Sequence, residues 1–290
     1  MDLQATLRAC EELHARLTEV VAEEMAFIRT RKIDAIAGDI PPLCFEIAAQ
    51  AKIPSVAITN FTWDTIYRLY LDRYPDFSPL INQMTDFYGK ATLALALPYP
   101  CEMSMFPTRN DIPWITRISS LTREQARVAF DLPQSATIIL LSFGGLGLSS
   151  LPWKRLNELR DFFFVTTGPS EVLTGNLLVL AEAQQRYQDL LRAVDLIVSK
   201  PGYGIVADVI SHRVPILYTE RGEFAEYPKL VEALKDCATA EYIPQNCLLQ
   251  GDLDPYINRL VSKKPNWPDV RLDGAYVAAR NVLHVLENCS

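Results

Sequence analysis

From Asp2 to about Arg31, apolar residues recur at three- and four-residue intervals through Leu3, Leu7, Cys10, Leu13, Leu17, Val20 or Val21, Met25 and Phe27 or Ile28. Charges fill the intervals, so the pattern predicts one amphipathic helix that packs along one face. The pattern then shortens. Ile33 to Ala37 is an apolar run of strand length closed by Gly38 and Asp39, Leu43 to Ala51 reads as a helix, and Ser55 to Thr59 reads as a second strand. Strand, helix and strand within about thirty residues is the size of a parallel crossover unit. Open sheets of this kind place ligands at the carboxyl ends of their strands, here Asn60 to Asp64. Ile66 to Leu71 and Phe77 to Tyr88 read as helical, Thr92 to Leu97 as a strand, and the proline-punctuated Pro98 to Pro113 as a connecting loop. Thr122 is a helix cap for Arg123 to Phe130, a helix closed by Pro133.

The second half alternates more regularly. Strand runs at Thr137 to Leu141, Phe162 to Thr166, Leu196 to Ser199 and Pro215 to Thr219 are interleaved with helix-like segments at Leu151 to Arg160, Tyr187 to Ala193, Ile205 to His212 and Phe224 to Leu234. This rhythm predicts a parallel, doubly wound α/β sheet, and continuous apolar strands such as TIILL fit a sheet covered on both faces. A last helix spans Leu272 to Leu286. The expected domains are residues 1–125, 134–270 and a closing helix at 271–290.

Composition narrows the classes. The chain has 290 residues, 49% of them hydrophobic and 22% charged, with 28 basic against 35 acidic side chains and a formal charge of −7. This is a folded protein without the basic excess of a nucleic-acid binder. No run reaches the ~20 apolar residues of a membrane span. The cysteines at positions 10, 44, 101, 237, 247 and 289 form no CxxC pair, and three histidines do not complete a metal site with them. They read as reduced thiols of a cytoplasmic protein. Neither a metal nor a cofactor is expected.

Two glycine-rich turns follow strands and precede helices. SFGGLG, Ser142 to Gly147, places Gly144, Gly145 and Gly147 where backbone amides can receive a phosphate, although a plain tight turn explains it equally well. SKPGYG, Ser199 to Gly204, has the same setting, with Asp208 four residues further on and on the same side of the helix. That carboxylate either accepts hydrogen bonds from both hydroxyls of a ribose or simply favours the positive end of the helix.

The string DLIVSKPGYGIVADVISHRVPILYTERGEFAEYP resembles the donor-site segment of GT-B glycosyltransferases, in particular the group containing the N-terminal, glycosyltransferase-like half of plant L-arabinokinase. NFTWD at Asn60 to Asp64, IILLSFGG and LDGAYVAARNVL agree with that group, so the resemblance spans nearly the whole chain. It implies two Rossmann-like domains facing across a cleft, with a nucleotide-sugar donor on the second and an unknown acceptor on the first. By position, Gly144 and Gly145 would approach the diphosphate. Lys200, Gly202, Tyr203 and Gly204 would line the nucleotide, and Asp208 would replace a usual glutamate on the ribose. Glu223 and Glu226 match acidic positions near the donor sugar; their plain reading is a solvated acidic loop.

The sequence departs from the group in lacking its opening strand and HGFGH loop, for which His14, His212 and His284 do not substitute. The first domain is therefore expected to be N-terminally incomplete, with an exposed sheet edge open to self-association. The leading expectation is metal-independent glycosyl transfer from a nucleoside diphosphate sugar, with helix N-termini and amides stabilising the departing diphosphate. Asp39 and Asp64 are the candidate general bases, each with a helix-capping role as the alternative. A catalytically inactive nucleotide-sugar-binding or regulatory module is the second expectation, and sugar-nucleotide 2-epimerisation ranks last because it needs a histidine in the site.

Overall fold

The computed structural model describes residues 2–143, 152–168, 172–181 and 186–289. The chain divides into two α/β units, one of Met1–Ile115, Glu223–Lys229 and Asp273–Ser290, the other of Thr116–Gly222 and Leu230–Leu272.

The first unit opens with two helices where the spacing predicts one, α1 (Leu3–Ala15) and α2 (Leu17–Arg31), broken at Arg16. The break has a packing cause. Leu7 of α1 joins a cluster with Phe77, Leu80, Ile81 and Met84, whereas Val21 and Ile28 of α2 pack with Ile47. One straight helix cannot serve both clusters. Asp2 caps α1 by accepting from the Ala5 amide at 3.0 Å. Lys32 takes the left-handed conformation that ends α2, so Ile33 is spent on the cap and β1 is only Ile36–Gly38.

The chain continues through α3 (Leu43–Ala51), β2 (Ser55–Thr59), α4 (Trp63–Arg68), a 3₁₀ turn at Pro75–Phe77, α5 (Ser78–Tyr88), β3 (Leu93–Ala96) and β4 (Arg109–Asp111). The strands form a parallel sheet in the order β1-β2-β3-β4. Four of the five β2 residues and all of β3 are buried, as continuous apolar runs require. The expected loop Pro98 to Pro113 in fact contains β4. Its Arg-Asn-Asp sequence is wholly exposed, so no hydrophobic signal marks it.

The second unit holds α6 (Arg123–Ala129), β5 (Thr137–Ser142), α7 (Trp153–Leu156), β6 (Phe162–Gly168), β7 (Val172–Thr174), β8 (Leu177–Ala181), α8 (Tyr187–Ala193), β9 (Leu196–Ser199), α9 (Tyr203–His212) and β10 (Ile216–Tyr218). After α10 (Glu226–Cys237), which begins in the first unit, come β11 (Ala240–Tyr242), α11 (Gln245–Gln250) and α12 (Asp254–Ser262). The sheet order among the described residues is β11-β10-β9-β5-β6-β8-β7. All pairings are parallel except the short β7–β8 pair. Thr122 caps α6 in a full capping box with Gln125, as its position predicts.

The helix expected over Leu151 to Arg160 is four residues long. The Asn176 amide donates to the Leu159 and Phe162 carbonyls at 2.9 and 2.8 Å, satisfying groups that another helical turn would otherwise use. Arg127 of α6 is a buried cation that ties three elements together. It donates to the carbonyls of Ala193 and Gln134 at 2.9 and 2.6 Å and to Asp195 at 2.7 Å, and Asp195 also accepts from the Ile138 amide. The closing helix α13 (Gly274–Cys289) belongs to the first unit, where the Gly274 amide donates to Trp114 O at 3.1 Å. No helix among the described residues is long and apolar enough to cross a membrane.

Candidate functional site

In the second unit the strand ends are level. Ser142 is in register with Ser199, and Ser199 with Tyr218, so β5, β9 and β10 finish at one edge. The Ser199 hydroxyl donates to Ser142 O, joining the end of β9 to the end of β5. Gly144, Gly145 and Gly147 lie outside the described residues; the second turn is described throughout.

Gly202 is the N-cap of α9, in extended conformation and with no side-chain cap bond. Gly202 thus brings no side chain of its own to the first turn of this ten-residue helix, where the positive end of the helix dipole lies. Among the described residues, a Cβ on Gly204 would meet nothing within 4 Å, and one on Gly202 would touch the Arg221 guanidinium at 3.6 Å. Arg221 donates to Pro201 O at 3.1 Å, pinning the turn from the loop after β10. Lys200 is exposed and Tyr203 half-buried.

Asp208 is half-buried on α9, and burial pushes its carboxyl up to about 6 despite a hydrogen bond from the Thr116 hydroxyl at 3.3 Å. Around it is a network that the sequence did not disclose. Thr116 contacts Ser211 at 3.0 Å, and the buried His212 accepts from the Ser119 amide through Nε2 at 3.2 Å. Its Nδ1 therefore carries the proton and faces Asp208 O at 3.0 Å. Burial holds the His212 imidazole below its usual pKa. Beyond Asp208, the Tyr187 hydroxyl meets Ser142 at 2.8 Å and is pushed up to about 12, chiefly by burial. In sequence the Thr116 hydroxyl of the PWITRISS connector hints at these partnerships, whereas Ser119 enters through its backbone amide, which no residue type marks.

In the first unit, Asn60 directly follows β2 and Thr62, not Asp64, is the N-cap of α4. The capping reading of Asp64 is thus corrected: it sits in the first turn, 1% exposed. Its Oδ2 accepts from Thr85 at 2.6 Å and lies 3.8 Å from Arg68, while Oδ1 has no hydrogen-bond partner among the described residues. Asp39 is exposed just past β1. It does not cap α3 either, because the N-cap there is Pro42 and no side chain completes it. Tyr88 braces both loops, donating to Ile40 O at 2.7 Å and accepting from the Trp63 amide at 3.2 Å.

The solvated acidic loop reading of Glu223 and Glu226 holds for only one of them. Glu223 is exposed and ion-paired with Arg73. Glu226 opens α10, is 1% exposed, and accepts from the Asn60 amide at 2.8 Å. Phe224 beside it meets Phe61 edge-on, with ring centroids 5.9 Å apart. The structure therefore gathers NFTWD and both acidic residues in the first unit, and the glycine turn with Asp208 in the second.

No family model matches the chain. It is 29% identical over 272 residues to L-arabinokinase of Arabidopsis thaliana, covering 93% of this chain and 26% of that protein. The chain thus spans about a quarter of the length of this curated relative. Among solved structures, the glycotransferase of kitacinnamycin superposes with a TM-score of 0.61 at 15% identity, over 99% of this chain and 78% of the other. The spinosyn forosaminyltransferase SpnP gives 0.59 at 15% identity, over 99% and 80%. Arabidopsis thaliana UGT89C1, solved with UDP-L-rhamnose, gives 0.55 at 16% identity, over 85% and 67%. The fold is that of the GT-B glycosyltransferases. The fold expected from the SKPGYG and NFTWD segments is therefore the fold observed.

Proposed function

We propose that the chain binds a nucleoside diphosphate sugar at the SKPGYG turn and transfers its glycosyl group to an acceptor. The observation that carries this reading is the glycine-capped N-terminus of α9, with room for a Cβ at Gly204 among the described residues and Asp208 on the same helix. The helix end and its amides favour the diphosphate and the negative charge that grows on it as the glycosidic bond breaks. In this reading they supply the neutralisation without a metal ion. Lys200 adds a mobile positive charge, Gly202 and Gly204 give the nucleotide close access, Tyr203 flanks it, and Asp208 accepts from the ribose hydroxyls. Gly144 and Gly145 would contribute amides from the neighbouring turn. UDP-L-rhamnose, with which UGT89C1 was solved, is a ligand of this class.

Of the two candidate bases, Asp39 has the accessibility that proton abstraction from an acceptor needs, and Asp64 does not. The burial of Asp64 also supports a second reading, a module that binds the nucleotide sugar without turning it over. One pair of experiments tests both. Uridine, guanosine and thymidine diphosphates are titrated by thermal shift, where ligand at 100 times its Kd adds about 2.7 kcal/mol of stability. Nucleotide-sugar hydrolysis is then followed with and without EDTA. No shift with any nucleotide sinks the donor site; binding without turnover selects the module; turnover abolished by EDTA removes the metal-free mechanism.

A further inference from the structure

A cavity of about 670 Å³ opens along the β11 edge of the second unit's sheet, between the end of α10 and the end of α12. Its lining carries Lys235, Arg259, Lys263 and Lys264 against a single carboxylate, Glu241, in a chain whose formal charge is −7. Glu241 is already committed. It takes the Arg259 Nε at 2.9 Å and the Lys263 Nζ at 2.7 Å, and although burial opposes it, those bonds hold its carboxyl below the usual value. Lys235 and Lys264 make no ion pair among the described residues and are exposed at the cavity. Two cations are thus held by the wall and two are left over for a ligand.

The rest of the lining has the shape chemistry of a ring site. Tyr218 and Tyr242 lie with ring centroids 5.7 Å apart, and the Arg259 guanidinium sits 4.3 Å over the Tyr256 ring. The frame is fixed by main-chain bonds. The Asn266 amide donates to Thr239 Oγ1 at 2.8 Å, its side chain donates to Lys235 O at 3.0 Å, and Lys263 Nζ reaches Ala240 O at 2.6 Å. The cavity is distinct from the SKPGYG turn: none of Lys200 to Asp208 lines it.

We propose that this cavity binds a small ring-bearing phosphate monoester, its phosphate on Lys235 and Lys264 and its ring against the tyrosines. Lysine is suited to a phosphate as a mobile point charge, and the tyrosine faces offer an apolar surface to a planar or pyranose ring.

Phenyl phosphate, which has no ribose, is the probe, titrated calorimetrically into the full chain at low salt. The expected result is saturable binding that weakens at least tenfold in the Lys235→Gln/Lys264→Gln variant, stays unchanged in Asp208→Asn, and survives excess UDP. Binding should also weaken with added salt in wild type and lose most of that dependence in the double variant. Undiminished affinity in the double variant, displacement by UDP, or inorganic phosphate binding as tightly as phenyl phosphate would each overturn the assignment.

Discussion

Asp208 gives the most direct quantitative test of the second unit's site, because its carboxyl is pushed up from 3.8 to about 6, chiefly by burial. The sign is the reverse of a salt-bridged aspartate. The folded state holds the proton more tightly than the unfolded chain, so Asp208 costs nothing below pH ~4, and stability is lost as pH rises through about 6. A difference of about two units corresponds to about 3 kcal/mol, fully developed above pH ~7. Asp208→Asn keeps an oxygen for the Thr116 hydroxyl and removes the charge. The variant should equal wild type at pH 4 and exceed it by about 2–3 kcal/mol at pH 8, or roughly 4–10 °C in Tm. Denaturant melts of both proteins from pH 4 to 8 measure this.

The proposed donor site adds a second test of the same group. There, ribose hydroxyls would donate to the ionised form, of which only about a tenth is present at pH 5 for a pKa of about 6, so nucleotide-sugar affinity should rise about tenfold between pH 5 and 7. Wild-type and Asp208→Asn melts that run parallel across this range would refute the reasoning for the apoprotein.

Tyr88→Phe removes the donor to Ile40 O and the acceptor for the Trp63 amide in a fully buried site, and should cost about 1–3 kcal/mol by urea denaturation. Gly274→Ala would place a methyl 2.1 Å from Pro113 O and 2.6 Å from Trp114 O, both backbone atoms, so the chain must shift; a loss of about 1–3 kcal/mol is expected in the same assay. Arg127→Met leaves the Ala193 and Gln134 carbonyls and one Asp195 oxygen without their cation and should cost about 3 kcal/mol, read from the melting transition. In an active preparation, Asp39→Asn should lower kcat with the melting temperature unchanged, whereas Asp64→Asn should move the melting temperature first; the opposite pattern would make Asp64 the base.

The sequence made the parallel elements legible because their strands are buried on both faces and so read as unbroken apolar runs: Ser55 to Thr59, Leu93 to Ala96 and Leu196 to Ser199 all fall where the runs predict. What it concealed has a common physical character. β4 is paired only through its backbone, so Arg109 to Asp111 carry no hydrophobic mark. The break at Arg16 depends on which distant clusters Leu7 and Val21 join, and helical spacing on either side is equally good. Among site residues, local spacing placed Asp208 on α9 near the turn, but the rise in its pKa comes from burial that spacing does not encode.

Asn60 and Glu226 show the limit most clearly. They stand 166 residues apart, and each has an unremarkable local reading, a strand end and an acidic loop, yet the two side chains meet at 2.8 Å in a buried site. Glutamine at position 226 is nearly isosteric, and its side-chain oxygen can still accept from the Asn60 amide. Glu226→Gln therefore removes the charge and keeps this hydrogen bond: if the contact with Asn60 is what the architecture needs, the variant melts close to wild type, and any loss it then shows in sugar transfer belongs to the charge rather than to the fold.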